Sequence, residues 1–169
     1  MAQLLSNLPL GSKIKYGKHS INGETAQSIT WLVVAKNHSG YPNNSVTLFA
    51  EKVIDIRCFD MREKSPSHQD RIDDGNNRYS YSNIDQWLNK DNAANAWWVA
   101  THAGDNPPTN SSYVKASYGT RPAFLHSFST QEKNAILFTT IRTNLTVYDG
   151  DAPEDISRKM FLPSGSELR

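Results

Sequence analysis

Cysteine is almost absent from this 169-residue chain: Cys58 stands alone, so no internal disulfide can form and the fold has to stand on packing. Arg57-Cys58-Phe59 lies in a β-like stretch without the neighbouring His or helix N-terminus that makes a thiol reactive, so Cys58 reads as a small buried apolar residue. Long hydrophobic runs are also missing. Nothing approaches the roughly 20 apolar residues that span a bilayer, and Met1 to Asn7 has no basic segment before its leucines. Neither membrane insertion nor a signal peptide is expected. A stripe of one charge is lacking too: net charge is +1, with 18 Lys and Arg scattered among 17 acids, which argues against a nucleic-acid partner.

The motifs of common catalytic machinery are equally scarce. There is no Gly-x-Ser-x-Gly elbow, no phosphate loop ending in Gly-Lys-Ser/Thr and no His-Glu-x-x-His helix. The five histidines, at 19, 38, 68, 102 and 126, are isolated from one another and offer no metal-ligand spacing. Asp70 to Tyr81 superficially has the form of a calcium loop, with Asp74-Gly75 in place. Ile72 and Tyr81, however, stand where oxygen ligands are required. No cofactor or metal is expected, and the chain reads as a non-enzyme. The alternative from a different class is a glycan hydrolase using carboxylates among Asp60, Glu63, Asp70, Asp73 and Asp74, which would need two of them paired across a cleft. Asn-x-Ser/Thr sequons begin at Asn37, Asn43, Asn110 and Asn144 and read as turn residues.

What is present is the patterning of one α+β domain. Lys13-Ile14-Lys15-Tyr16 alternates polar and apolar, and Ile29 to Val34 is β-branched and aromatic, predicting a hairpin between Ser12 and Lys36. A turn-rich segment, 37–44, leads to a third strand at Val46–Ala50, and Val53–Phe59 is expected to extend or flank the sheet. Strands joined without helices imply antiparallel pairing. Asp60 to Asn77, the most polar stretch, reads as an exposed loop. Ser82-Asn83-Ile84-Asp85 and Ser129-Thr130-Gln131-Glu132 carry N-cap signatures that predict helices near 82–89 and 129–138. Pro107-Pro108 makes Gly104 to Ser112 a surface loop. Trp97-Trp98 reads as a helix end, where adjacent side chains point about 100° apart, so one ring is free to meet a partner while both can equally be buried. Trp31, Trp87 and Phe128 are expected in one core. In the run Gly75-Asn76-Asn77-Arg78-Tyr79 we expect a structural turn: a positive φ at Gly75, local hydrogen bonds from the two asparagines, and Arg78 tied to a carbonyl cluster or an acid.

These same residues carry a resemblance. Gly75 to Asn89, including Tyr79 and Trp87, together with Leu10 to Gly17, Ile29 to Val33, Lys36 to Gly40, Thr47 to Lys52, Trp97 to Asn110, Ala123 to Leu125, Phe128-Ser129 and Lys159 to Leu162, resembles an uncharacterised domain family of gut Firmicutes and their phages. The resemblance covers nearly the whole chain. Longer proteins of that kind are similar to the C-type-lectin-like fold of formylglycine-generating-enzyme relatives, and this chain is expected to correspond to the N-terminal part of such a module. The resemblance implies a virion-associated structural or binding protein, such as a fibre, tail tip or head decoration. Its implied partners are other virion subunits, a second copy of itself and a host-surface glycan, met through loops 37–45 and 97–118. A bacterial binding module outside any phage is the further alternative. Within the two loops, Tyr41, Trp98, His102 and Tyr113 are the residues expected to meet a ligand or partner. We also expect one domain over 1–169 that continues beyond residue 169. Lys159 to Leu162 reads as a strand, and Ser164-Gly165-Ser166-Glu167 has the form of a helix start with only two residues after it.

Overall fold

A computed structural model of the chain describes residues 4–20, 24–108, 119–165 and 167. Strands β1 (Lys13–His19), β2 (Gln27–Lys36) and β3 (Val46–Ala50) form an antiparallel sheet in the order β1-β2-β3. The alternation in β2 turns Ile29, Trp31 and Val33 to the buried side, and the register sets Trp31 between Ile14 and Ala50. The β1–β2 ladder slips between Lys15 and Lys18. Gly17 sits in that slip at φ +65°, and a Cβ there would lie 2.1 Å from the Phe128 ring, so a close approach requires glycine.

Helix α1 (Gln69–Asp74) is short and exposed, whereas α2 (Asn83–Asn89) runs through the interior, with Asn83 to Leu88 all buried. Ser82 caps α2 by accepting the Asp85 N–H. Ser129 and Glu132 form a reciprocal capping box that starts α3 (Thr130–Ala135). That helix ends before the predicted residue 138. Ile136-Leu137-Phe138 leave it, and the β-branched run that follows pairs as β4 (Thr139–Asn144) with β5 (Pro153–Arg158) in a second, antiparallel ladder. The result is a mixed α+β fold with antiparallel sheets of three and two strands and short helices. Trp31, Trp87 and Phe128, exposed by only 7%, 3% and 4%, meet Phe124 and Trp97 in one core, as the face assignments require.

Several expectations are corrected. Val53 to Phe59 forms no regular element and joins no ladder. Val53 and Ile56 are 81% and 73% exposed, and Asp55 turns inward to His19 and Arg57. Asp60 to Asn77 is not a simple exposed loop, because it forms α1 and buries Glu63 and Asn76, each satisfied by hydrogen bonds. Trp97-Trp98 lies on no helix. Trp97 is buried, its indole N–H donating to the Arg121 carbonyl, and Trp98 is half-buried against the core. Gly104, Asp105 and Pro108 are buried, so the start of the Pro107-Pro108 loop is packed rather than superficial, while 109–112 falls outside the described residues. Cys58 is only half-buried. Lys159 to Leu162 is irregular; the strand lies earlier, at β5, and Met160 and Phe161 are half-buried against the core. No described helix is long and apolar enough to cross a membrane.

Candidate functional site

Gly75 ends α1 at φ +88°, donating its N–H to the Arg71 carbonyl, and a Cβ on it would come 3.2 Å from the backbone oxygens of Asp60 and Met61. That close turn points Asn76 inward. Its backbone N–H donates to Asp60 Oδ2 at 3.0 Å, its Nδ2 donates to Glu63 Oε1 at 2.7 Å, and its Oδ1 accepts the Arg78 N–H at 2.9 Å, closing an Asx turn. Asn77 faces solvent.

Arg78 then reaches across to β5. Its guanidinium forks onto Glu154 at 3.2 and 2.7 Å, donates to Ser80 Oγ, approaches Asp149 and lies 3.9 Å over the Tyr81 ring. Tyr81 in turn stacks on His102, with ring centroids 4.6 Å apart and planes within 14°. The imidazole is held at both nitrogens, Nε2 by Glu63 Oε1 at 2.6 Å and Nδ1 by Thr101 Oγ1 at 2.8 Å. Ser67 supplies its hydroxyl to the other Glu63 oxygen, and Asp105 accepts the Thr101 N–H. A continuous ladder of stacked and hydrogen-bonded groups therefore runs from Glu154 through Arg78, Tyr81 and His102 to Glu63.

Electrostatics along the ladder follow from burial and pairing. Burial pushes the Glu63 carboxyl up, but the bonds from Ser67, His102 and Asn76 outweigh it and hold the group below its ordinary range. Burial raises Asp60 to about 6 even though the N–H groups of Asn76 and Asn83 each donate to it, because Asp105 and Glu63 add negative charge nearby. Asp149 and Glu154 are likewise partly desolvated but are held low by Arg71 and Arg78. Two further charged groups lock the core. Arg158 forks onto the buried Asp85 at 2.6–2.8 Å, with Asn89 joining Asp85 to the backbone of Lys159 and Met160. His19, Asp55 and Arg57 form a buried set, with Arg57 5.4 Å over Trp87.

The residues expected to meet a ligand are not brought together. His102 belongs to the ladder, whereas Tyr41 lies tilted against His38, edges against Phe161 and donates to Glu167. Trp98 packs against the core, and Tyr113 lies outside the described residues. The acids named for a hydrolase also divide. Both oxygens of Asp60 and of Glu63 accept protein hydrogen bonds, and Asp70, Asp73 and Asp74 are exposed on α1. Among the described residues no cluster of three His, Cys, Asp or Glu can hold a metal ion. The partners that sequence reasoning missed are Asp149, Glu154, Arg71 and Arg158. They lie 71 to 78 positions from the groups they meet, so local spacing carries no signal of them.

An apolar groove of about 1020 Å³ runs between β3 and the chain at 159–163, with Phe49, Ile54, Phe59, Trp87 and Phe161 in its walls. A second cavity of about 420 Å³, lined by Tyr16, Val46, Phe128 and Ile136, shares Trp31, Leu48 and Met160 with it.

A small α+β domain with a hydrogen-bonded polar cluster and an apolar trough is the class these observations define. Within it, the chain belongs to the family described as Domain of unknown function (DUF6273), which matches residues 43–169. No curated protein and no solved structure matches the chain. β1 and β2 precede residue 43, so the matched span starts later than the resemblance that ran from Leu10.

Proposed function

We propose that the protein is a non-catalytic binding and assembly module of a phage or prophage particle, joined to other virion subunits and to copies of itself. The observation that carries the binding part is the contrast between engaged chemistry and open apolar surface. Glu63, His102 and Asp60 already hydrogen-bond within the chain, whereas Phe49, Val53 and Phe59 line the trough with their apolar side chains exposed. Contiguous apolar surface of this kind marks interaction sites in soluble domains. The virion setting, and the likeness to the N-terminal part of a C-type-lectin-like module, rest on the sequence resemblance. A glycan ligand has less support, because Tyr41 is engaged by His38, Phe161 and Glu167 and Trp98 is packed on the core.

Mass spectrometry of purified particles from the source phage or induced prophage tests the reading. Stoichiometric recovery of the chain is expected. Its absence from particles that contain every other structural gene product would move it to a bacterial binding module outside the virion.

A further inference from the structure

We infer that β3 is a docking edge at which an extended segment of another polypeptide adds as a fourth strand. The inference rests on the reading of the protein as a binding module and supplies the chemistry of its partner. Its starting point is the pairing of β3. The Glu51 N–H donates to the Thr30 carbonyl, and the Asn37 N–H donates to the Ser45 carbonyl. In an antiparallel ladder the residues that face the partner alternate with residues that face away. With Trp31 opposite Ala50, Val33 opposite Leu48 and Lys36 opposite Val46, the N–H and C=O groups of Val46, Leu48 and Ala50 point away from β2. β3 is terminal in its sheet, and no group among the described residues bonds to these outward backbone atoms.

The two edges of the sheet are built differently. β1 presents exposed Lys13, Lys15 and Lys18 and is interrupted at Gly17, the features by which soluble proteins keep an edge from pairing. β3 reads Val-Thr-Leu-Phe-Ala, without a charge, a proline or a bulge of its own, and Phe49 is 41% exposed. The unguarded edge is also the one beside which the two apolar cavities open, meeting at Trp31, Leu48 and Met160.

These features select the occupant. Outward N–H and C=O groups at every second residue require a chain in extended conformation, and the space beside Trp31, Leu48 and Met160, on the core side of that edge, requires apolar side chains at alternate positions of the chain. The β3 edge of a second copy does not meet the second requirement, because its Leu48 and Ala50 are already packed against their own core. The partner is therefore a segment of about five residues or more, apolar at alternate positions and not part of a packed sheet before it binds.

The test is selection of binders to the full folded chain from a displayed library of random twelve-residue peptides, followed by amide hydrogen exchange on the unmodified protein with the selected peptide bound. The expected peptides alternate apolar and polar residues and slow exchange at Val46, Leu48 and Ala50. Leu48→Pro removes one outward N–H that does not face β2, and compared with Leu48→Ala, which removes the same packing, it should weaken binding by about a further tenfold, the size of one hydrogen bond. Phe49→Lys, at an exposed position, should weaken it without disturbing the fold. Binders without alternation, a protection footprint away from β3, or no enrichment over the starting library overturns the inference. A dimer in light scattering that Phe49→Lys disperses replaces the free segment with a second copy. Presence or absence of the chain in particles is read separately, so either reading can fail alone.

Discussion

The polar ladder and the β3 trough handle the same problem, backbone and side-chain polar groups close to a core, in opposite ways. Around Glu63 and Arg78 the groups come from segments far apart in sequence, and each acid meets a donor inside the chain: Glu63 meets His102, Asn76 and Ser67, Glu154 meets Arg78, and Asp149 meets Arg71. Along β3 the outward backbone groups meet none among the described residues, and the side chains beside them are apolar. Buried charges are tolerable only when paired and hydrogen-bonded, so the first region is committed to holding the loops to the β4–β5 hairpin. The second is the region proposed above to lend its hydrogen-bonding capacity to another molecule. On that proposal, polar residues of a kind that suggest chemistry are scaffold, while a bland apolar strand is the part that binds.

Breaking the closed set should give the largest effects. Arg158→Ala leaves the Asp85 carboxylate buried without its fork and should cost about 3–5 kcal/mol of unfolding free energy, measured by denaturant titration. Arg158→Lys should recover only part, since an ammonium cannot reproduce the two-toothed contact. Arg78→Ala comes next, at about 1–3 kcal/mol, because Glu154 keeps Ser80 and Thr143 as donors and Asp149 keeps Arg71. A loss of ligand or partner binding at unchanged melting temperature in Arg78→Ala would instead make the ladder a functional surface.

The pH dependence sharpens the same contrast. Asp60 takes up its proton near pH 6 in the folded chain, above the ordinary carboxyl value of about 4, so between these values the folded form binds more protons than the unfolded one. Stability from this group therefore rises as pH falls through that window. Asp55, Glu63, Asp149 and Glu154 behave oppositely, being held low when folded. Their contribution is complete above about pH 4 and is lost as pH falls through their lowered values. Thermal unfolding from pH 3 to 8 should show a maximum between about pH 4 and 6, with a decline of up to about 2–3 kcal/mol toward pH 8. A steady rise from pH 4 to 8 would show that Asp60 stays ionised in the fold.

Elements with local signals were legible in the sequence. Alternation in β1 and β2, the turn formers before Val46, the Ser129–Glu132 box and the Ser82 cap all act within a few residues. What escaped depends on distant partners. Val53 to Phe59 has strand composition, yet Asp55 is drawn inward by His19 and Arg57 and no ladder forms. β5 has one apolar residue inside it, Ile156, and owes its existence to pairing with β4 and to Arg78 and Asp85 gripping Glu154 and Arg158. At the site, Glu63 and His102 were each singled out for different roles, and only the fold joins them across 39 positions. The β3 edge was legible as a strand but not as an edge, because strand order is a property of the whole sheet.

The smallest expected change in stability is also the most decisive for the comparison. Phe49 lies on the outer face of β3, opposite Leu32, with two-fifths of its surface open (41%), so a lysine there strands no buried polar group and its aliphatic stem keeps part of the packing the ring made. The change should cost about 1 kcal/mol, and the melting temperature should fall by only a few degrees. A lysine there nevertheless gives β3 the guard that β1 already carries at Lys13, Lys15 and Lys18. If the trough is the binding region, Phe49→Lys weakens association with extended segments while Arg78→Ala, though more destabilising, leaves it intact at temperatures where the fold persists. The reverse pattern, with binding indifferent to Phe49→Lys and lost in Arg78→Ala, would transfer the interaction to the polar ladder and make the apolar edge a passive feature of the sheet.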